Sequence, residues 1–341
     1  MRMILILWVT SAVLLTGCGG SNNKIELASA TGIGTASEAA PEAVPTQSKL
    51  EESESMNGNA EQIGQALKNR AYDDIYNQTS DIFRKEISLA QFREGILGYS
   101  EGVTAWKSHS QIKINDGQYN TWTDQESKKG IIAIIDTEGV ITGLQLMPLE
   151  SFPQTDQVQT KLAYGIPFKG EWFVFWGGQD VLSNYHYEVP SQRYAYDVFQ
   201  VKAGFTYDGD ATKNESYYAF GQEIVAPQSG TVVQAINDIK DNEPVGVMNE
   251  DHPAGNVVVI DHGNGEYSFL AHLQMGSVKV KVGDQVSKGD SIGLCGNSGN
   301  SSEAHLHYQV SDNKDLFEGE SIRVQWEGGL NPRQGEVIAA D

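Results

Sequence analysis

The sequence predicts an α+β domain, with helices on an antiparallel sheet, followed by a β-rich domain. Three observations carry this reading. Helical periodicity is confined to residues 60–97, strand-like segments broken by turn residues fill 110–147, and from Phe152 onward the apolar runs are short and bounded by Gly, Asn or Asp. Helices first and hairpins afterwards is the pattern of helices packed on one sheet face, whereas unbroken short strands belong to all-β architectures. With 341 residues and 39% hydrophobic content, the chain can bury two cores after a leader and a tether are set aside.

The chain opens with Arg2 and an apolar run from Met3 to Leu15, which reads as a signal peptide over residues 1–17. That run falls short of the ~20 residues a membrane-spanning helix needs. Its ending, Leu15-Thr16-Gly17-Cys18, resembles a bacterial lipobox. The resemblance implies that Cys18 becomes the first mature residue, carries lipid, and anchors the protein on the extracytoplasmic face of a bacterial membrane, in the cell envelope. Cys295 is the one other cysteine, so an acylated Cys18 leaves no internal disulfide. Residues 18–57 are Ser, Asn, Ala, Glu, Thr and Pro with few large apolar side chains, a composition that predicts a disordered tether.

Over residues 58–150, Ile63, Ala66, Leu67, Ile75, Tyr76, Ile82, Phe83, Phe92, Ile96 and Leu97 recur at helical steps and predict two or three amphipathic helices. Strands are predicted at 110–114, 119–123, 130–136 and 140–147, separated by Asn115-Asp116-Gly117 and Glu138-Gly139. This stretch resembles the nuclear-transport-factor-two-like superfamily. Residues 151–185 read as a β-rich connector holding the aromatic cluster Trp172, Phe173, Phe175 and Trp176, fitted for core or interdomain packing or for a glycan-stacking platform. The β-rich domain spans 186–341, with strands expected at 195–202, 230–236, 257–261 and 267–270. A net charge of −21 excludes nucleic acid and an anionic membrane surface as main partners.

His305-Leu306-His307 lies in a predicted strand over 304–310, where alternation puts both imidazoles on one face ~7 Å apart. Such a pair suits a catalytic metal that keeps one position open, with one imidazole as ligand and the other addressing the water. Around it stand Gly283-Asp284-Gln285-Val286-Ser287-Lys288-Gly289-Asp290-Ser291-Ile292-Gly293, the turn Gly296-Asn297-Ser298-Gly299-Asn300-Ser301, and Ala304-His305-Leu306-His307. Upstream come Val225-Ala226-Pro227, Gly230-Thr231-Val232, Gly255-Asn256-Val257-Val258-Val259-Ile260-Asp261-His262-Gly263 and Ala271-His272-Leu273.

Together, in this order, these segments resemble the LytM/lysostaphin-type zinc endopeptidases of peptidoglycan, over residues 190–312. The resemblance implies Zn²⁺ as cofactor, His307 and Asp197 as ligands, and His272 and His305 as catalytic groups. Asp197 matches the aspartate of the family's His-x-x-x-Asp motif, but Arg193 stands where that motif has its histidine. A guanidinium that stays charged is a poor ligand, so the third ligand comes from elsewhere or the site is impaired. His186 is the substitute expected, with Pro190 turning the chain back, and His262 and His252 are the alternatives. Arg193 itself reads as a clamp for Asp197 or a substrate carboxylate, or as half of a structural salt bridge. Cys295 reads as a buried inert thiol, and His109 as a bystander. The expected function is a zinc metalloendopeptidase cleaving stem peptides or cross-bridges. The rival is an impaired domain that binds wall peptides or activates a separate hydrolase.

Overall fold

The computed structural model describes residues 60–340, so the leader, Cys18 and the whole of the expected tether over 18–57 lie outside the described residues. Among the described residues no helix is long and apolar enough to cross a membrane.

Four helices come first: α1 (Ala60–Asn69), α2 (Tyr72–Asn77), α3 (Asp81–Glu86) and α4 (Leu89–Tyr99). Two serine caps explain why there are more than the periodicity predicts. Ser80 accepts from Phe83 N and Ser88 forms a capping box with Gln91, so each starts a new helix where the apolar spacing runs on. An antiparallel meander follows, β1 (Trp106–Ile114), β2 (Gly117–Asp124), β3 (Lys129–Asp136) and β4 (Ile141–Pro148), adjacent in that order. The helices cover one face of it, with Ile63, Ile75, Phe83, Phe92 and Ile96 packed with Trp122, Ile131, Ala133 and Ile135. Strand alternation turns Ile112, Tyr119 and Ile132 to the opposite face, where they meet Phe175, Trp176, Leu182 and Phe199. Each large apolar side chain buried in these clusters contributes about 1.5–3 kcal/mol.

The rest of the chain comprises α5 (Pro153–Asp156), β5 (Gln159–Tyr164), β6 (Gly170–Trp176), β7 (Tyr196–Phe199), β8 (Glu223–Val225), β9 (Gly230–Ala235), β10 (Asn256–Asp261), β11 (Tyr267–Leu273), β12 (Gln285–Val286), β13 (Ser291–Leu294), β14 (Leu306–Ser311), β15 (Ser321–Trp326) and β16 (Val337–Ala340). Ten of these strands form one sheet in the order β12-β9-β10-β11-β14-β7-β6-β16, with β15 joining β14 to β5 at the side. Its main core holds Val232, Val258, Ile260, Leu270, Leu306 and Tyr308.

The segment 151–185 is part of this sheet rather than a connector outside it. β6 pairs with β7 and β16, and β5 runs parallel to β15. Alternation along β6 explains the placement: Trp172 and Val174 enter the large sheet's core, while Phe175 joins the cluster against β1–β4. The aromatic run is therefore core and interunit packing, not a glycan platform. The strand expected at 195–202 is shorter, and His305 stands just before β14 instead of inside it.

Candidate metal centre

β7 and β14 are antiparallel neighbours whose register sets Asp197 directly opposite His307. Opposed residues share a face, and Asp197 Oδ1 lies 2.9 Å from His307 Nδ1. The chain reaches β7 through successive tight turns, in which the N–H groups of Tyr187, Val189, Gln192 and Ala195 donate to the carbonyls of Asn184, His186, Val189 and Gln192. These turns fold the segment back and bring His186 Nε2 to 3.1 Å from Asp197 Oδ2. Asn184 pins the turn: its amide donates to the carbonyls of Arg193 and Ala195, and its oxygen accepts from His186 N. Ligating atoms of His186, Asp197 and His307 all lie within 4.8 Å of one another.

His305 and His272 arrive by other routes. His305 Nε2 is 3.7 Å from Asp197 Oδ1, and Phe199 stacks on the ring at 5.0 Å. On β11, Ala271 is the residue opposite His307, so strict alternation would turn His272 away. A bulge prevents this. Between the pairs Val258–Leu270 and Asn256–Leu273, β11 carries one residue more than β10, and His272 takes a φ of 60°. Bulges re-aim side chains, and here the His272 ring comes to 4.8 Å from His305 and 5.8 Å from His307, centroid to centroid. A Cβ on Gly255 would sit 2.3 Å from Ser298 O, the carbonyl that holds His272 Nδ1 at 2.8 Å, so this approach requires glycine.

Proton positions follow from the acceptors. His305 Nδ1 donates to Glu303 O and His272 Nδ1 donates to Ser298 O, which leaves a lone pair on each Nε2. Gln309 donates its amide to Ser191 O, so its Oε1 accepts from His307 Nε2. The lone pair of His307 Nδ1 therefore faces a carboxylate oxygen, which is repulsive unless a cation or a proton lies between them. Burial pushes His186 and His305 below the usual imidazole range and His272 well below it, favouring the neutral rings. Burial also opposes ionisation of Asp197, but the adjacent His186 and His305 and a hydrogen bond from His186 outweigh it and hold its carboxyl well below the usual range. Ligands on a tetrahedral Zn²⁺ with bonds of ~2.0–2.1 Å stand ~3.3 Å apart. The 2.9 and 3.1 Å contacts around Asp197 are close to that spacing, and two imidazole nitrogens with one carboxylate suit this ion.

The remaining candidates lie elsewhere. His262 binds Ser229 O and Ser268 Oγ, and His252 is exposed. His109 contacts Ser183 and Asp180. Cys295 is buried, which pushes its thiol well above the usual range. Arg193 neither clamps Asp197 nor forms a salt bridge, because among the described residues it makes no ion pair. Its Nε donates to Tyr187 O, its Nη1 to Thr155 Oγ1, and its guanidinium lies 3.6 Å over the Phe152 ring. The turn-bearing segment, not Asp197, is what it holds. Sequence reasoning missed Gln309, Asn184, Glu303 and Phe199. Gln309 alone carried a signal, since 305, 307 and 309 alternate onto one face.

Residues 216–318 match the family model for Peptidase family M23. Over this span the chain is similar to an M23 peptidase domain. The matched span includes His272, His305 and His307, whereas His186 and Asp197 precede it. The chain is 48% identical over 65 residues to the peptidoglycan DD-endopeptidase ShyA of Vibrio cholerae serotype O1, covering 19% of this chain and 15% of that one. It is 35% identical over 105 residues to endolysin 2638A of Staphylococcus phage 2638A, covering 30% and 19%. It therefore spans less than a fifth of either relative's length. Against the catalytic domain of lysostaphin from Staphylococcus simulans the identity is 21%, the coverage 50% and 95%, and the TM-score 0.25.

Proposed function

We propose that this protein is a zinc metalloendopeptidase that hydrolyses peptide bonds in the stem peptides or cross-bridges of peptidoglycan, with His186, Asp197 and His307 holding the metal. One observation carries the reading: His186 Nε2 and His307 Nδ1 flank the two oxygens of Asp197 at 3.1 and 2.9 Å. This supplies the third donor that Arg193 cannot. The curated name of the Vibrio relative, a peptidoglycan DD-endopeptidase, supports the substrate class.

Zn²⁺ bound there supplies Lewis acidity, which polarises a peptide carbonyl and acidifies water. His305 and His272 do the proton work. Each presents an unprotonated Nε2, because a backbone carbonyl engages its Nδ1–H. One accepts the proton that water loses on attacking the carbonyl carbon, and the imidazolium formed returns a proton to the amine as the C–N bond breaks. The other stabilises the oxyanion only when protonated at Nε2. Gln309 holds the His307 ring by accepting from Nε2, as partners of metal-ligating histidines do. The Leu-x-Gly-Cys leader supports a lipid-anchored protein in the cell envelope, reaching a polymer that does not diffuse.

The test is zinc content and digestion of purified peptidoglycan by the form lacking residues 1–18. The expected result is about one zinc per chain, lost in His186→Ala and His307→Ala. His305→Ala is expected to keep zinc and lose at least ~10²-fold in kcat. No zinc even after reconstitution would sink the reading.

A further inference from the structure

We infer that the sheet formed by β1–β4 acts as a positioning element for the metal centre, holding in place the turn that delivers His186. The inference rests on the metal reading above and assigns the N-terminal unit a role in it.

The turn-bearing segment docks directly on that sheet. Leu182, fully buried, packs in the cluster of Ile112, Tyr119 and Ile132, and the Tyr119 hydroxyl donates to Leu182 O at 3.2 Å. The Tyr119 ring meets Trp176 edge-on at 5.3 Å, Trp176 meets Tyr185 at 5.2 Å, and Tyr185 lies on His186 at 3.9 Å. A continuous row of rings thus runs from the sheet to the imidazole. The backbone of β3 lies so close that a Cβ on Gly130 would be 2.9 Å from a Leu182 methyl.

The sheet is shaped for this contact. The register of β1 and β2 slips between Ser108 and Ser110, which makes His109 the bulged residue. Its Nε2 reaches Ser183 Oγ at 3.0 Å and Asp180 Oδ1 at 3.2 Å, and Asp180 in turn accepts from the N–H groups of Leu182 and Ser183. A second hold lies at the hairpin tip. Asn115 Oδ1 accepts from Thr206 N, and Thr206 Oγ1 lies 3.1 Å from the carboxyl of Glu303, whose carbonyl fixes His305.

A ligand borne on a long turn must be held from outside, because the ordering entropy of that turn otherwise weighs against binding. In this chain the outside support is the β1–β4 sheet. Arg193, standing where the family's motif has a histidine, leaves the site dependent on it.

Competition with a chromophoric chelator measures Zn²⁺ affinity, and Co²⁺ absorption reports ligand geometry, on the chain lacking residues 1–18. Tyr119→Ala is expected to weaken Zn²⁺ binding at least ~10-fold and change the Co²⁺ spectrum, and Tyr119→Phe to stay within a few-fold of wild type. His109→Ala, at a half-exposed position that the cores do not need, is expected to weaken binding several-fold with unchanged circular dichroism. Wild-type affinity and spectrum in both Tyr119→Ala and His109→Ala, alongside weakened binding in His186→Ala, would overturn the positioning role and leave the metal site standing. Binding unaffected by His186→Ala would overturn both.

Discussion

Glu303 illustrates how much depends on a single buried side chain. Burial, only partly offset by Thr206, raises its carboxyl from 4.5 to about 7, so in the folded state it stays protonated well above the pH at which a free carboxyl ionises. The Thr206 hydroxyl donates to the Glu303 carboxyl at 3.1 Å, and its oxygen also lies 3.1 Å from Asn115 Oδ1. A raised carboxyl favours the fold fully only below its unfolded value. Stability then falls as pH rises through the folded value near 7 and stays low above it. The span between the two values corresponds to about 3 kcal/mol. Glu303→Gln keeps the hydrogen bond and removes the titration. Its unfolding free energy from urea titration at pH 8 should exceed that of wild type by up to this amount, and the two should coincide below about pH 4. An equal gap at both pH values would show that ionisation of Glu303 is not what the fold pays for.

At the scale of elements, the site is a product of register and of breaks in register. Asp197 opposite His307 is plain pairing between β7 and β14, and the spacing His305-Leu306-His307 already announced two imidazoles on one face. The bulge that turns His272 inward was not legible, because a bulge depends on the partner strand and not on the residues that form it. The same holds for His186. Its distance along the sequence and Pro190 suggested a turn back, but the hydrogen bonds of Asn184 and Arg193 that set its direction belong to the folded segment. Helix number was misread for a related reason, since Ser80 and Ser88 cap new helices inside an unbroken apolar rhythm. The His272 bulge rests on Gly255, which takes a φ of 58° beneath Ser298. Gly255→Ala combines a left-handed backbone with a clash against backbone atoms, so it should cost at least about 2 kcal/mol. The displaced Ser298 carbonyl should also release His272 Nδ1, seen as a shifted imidazole resonance in NMR. A variant with wild-type stability and an unmoved His272 signal would show that the bulge does not need this glycine.

Over the whole molecule, the two apolar clusters of the N-terminal unit lead to opposite expectations for unfolding. The helix-side cluster is self-contained, whereas the sheet's other face shares its burial with Phe175, Trp176, Leu182 and Phe199. Those four residues sit on β6, on β7 and in the segment between them, next to the candidate metal centre, so melting either unit exposes apolar surface of the other. Units that share a buried cluster unfold together, because the exposed surface makes the half-folded state costly. Trp122 reports the N-terminal sheet, Trp176 the shared cluster and Trp326 the core of the large sheet. Fluorescence from single-tryptophan variants at these positions should fall in one common thermal transition, coincident with loss of helical circular dichroism. Ligand linkage sharpens the expectation. Zinc at ~100 times its Kd stabilises the state that binds it by ~2.7 kcal/mol, and a shared cluster passes that stabilisation to helices α1–α4, which touch no candidate ligand. Adding a chelator should therefore lower the helical and large-sheet midpoints together. Helices that melt in a separate step, at a temperature indifferent to zinc, would mean that the shared cluster is too weak to couple the two units.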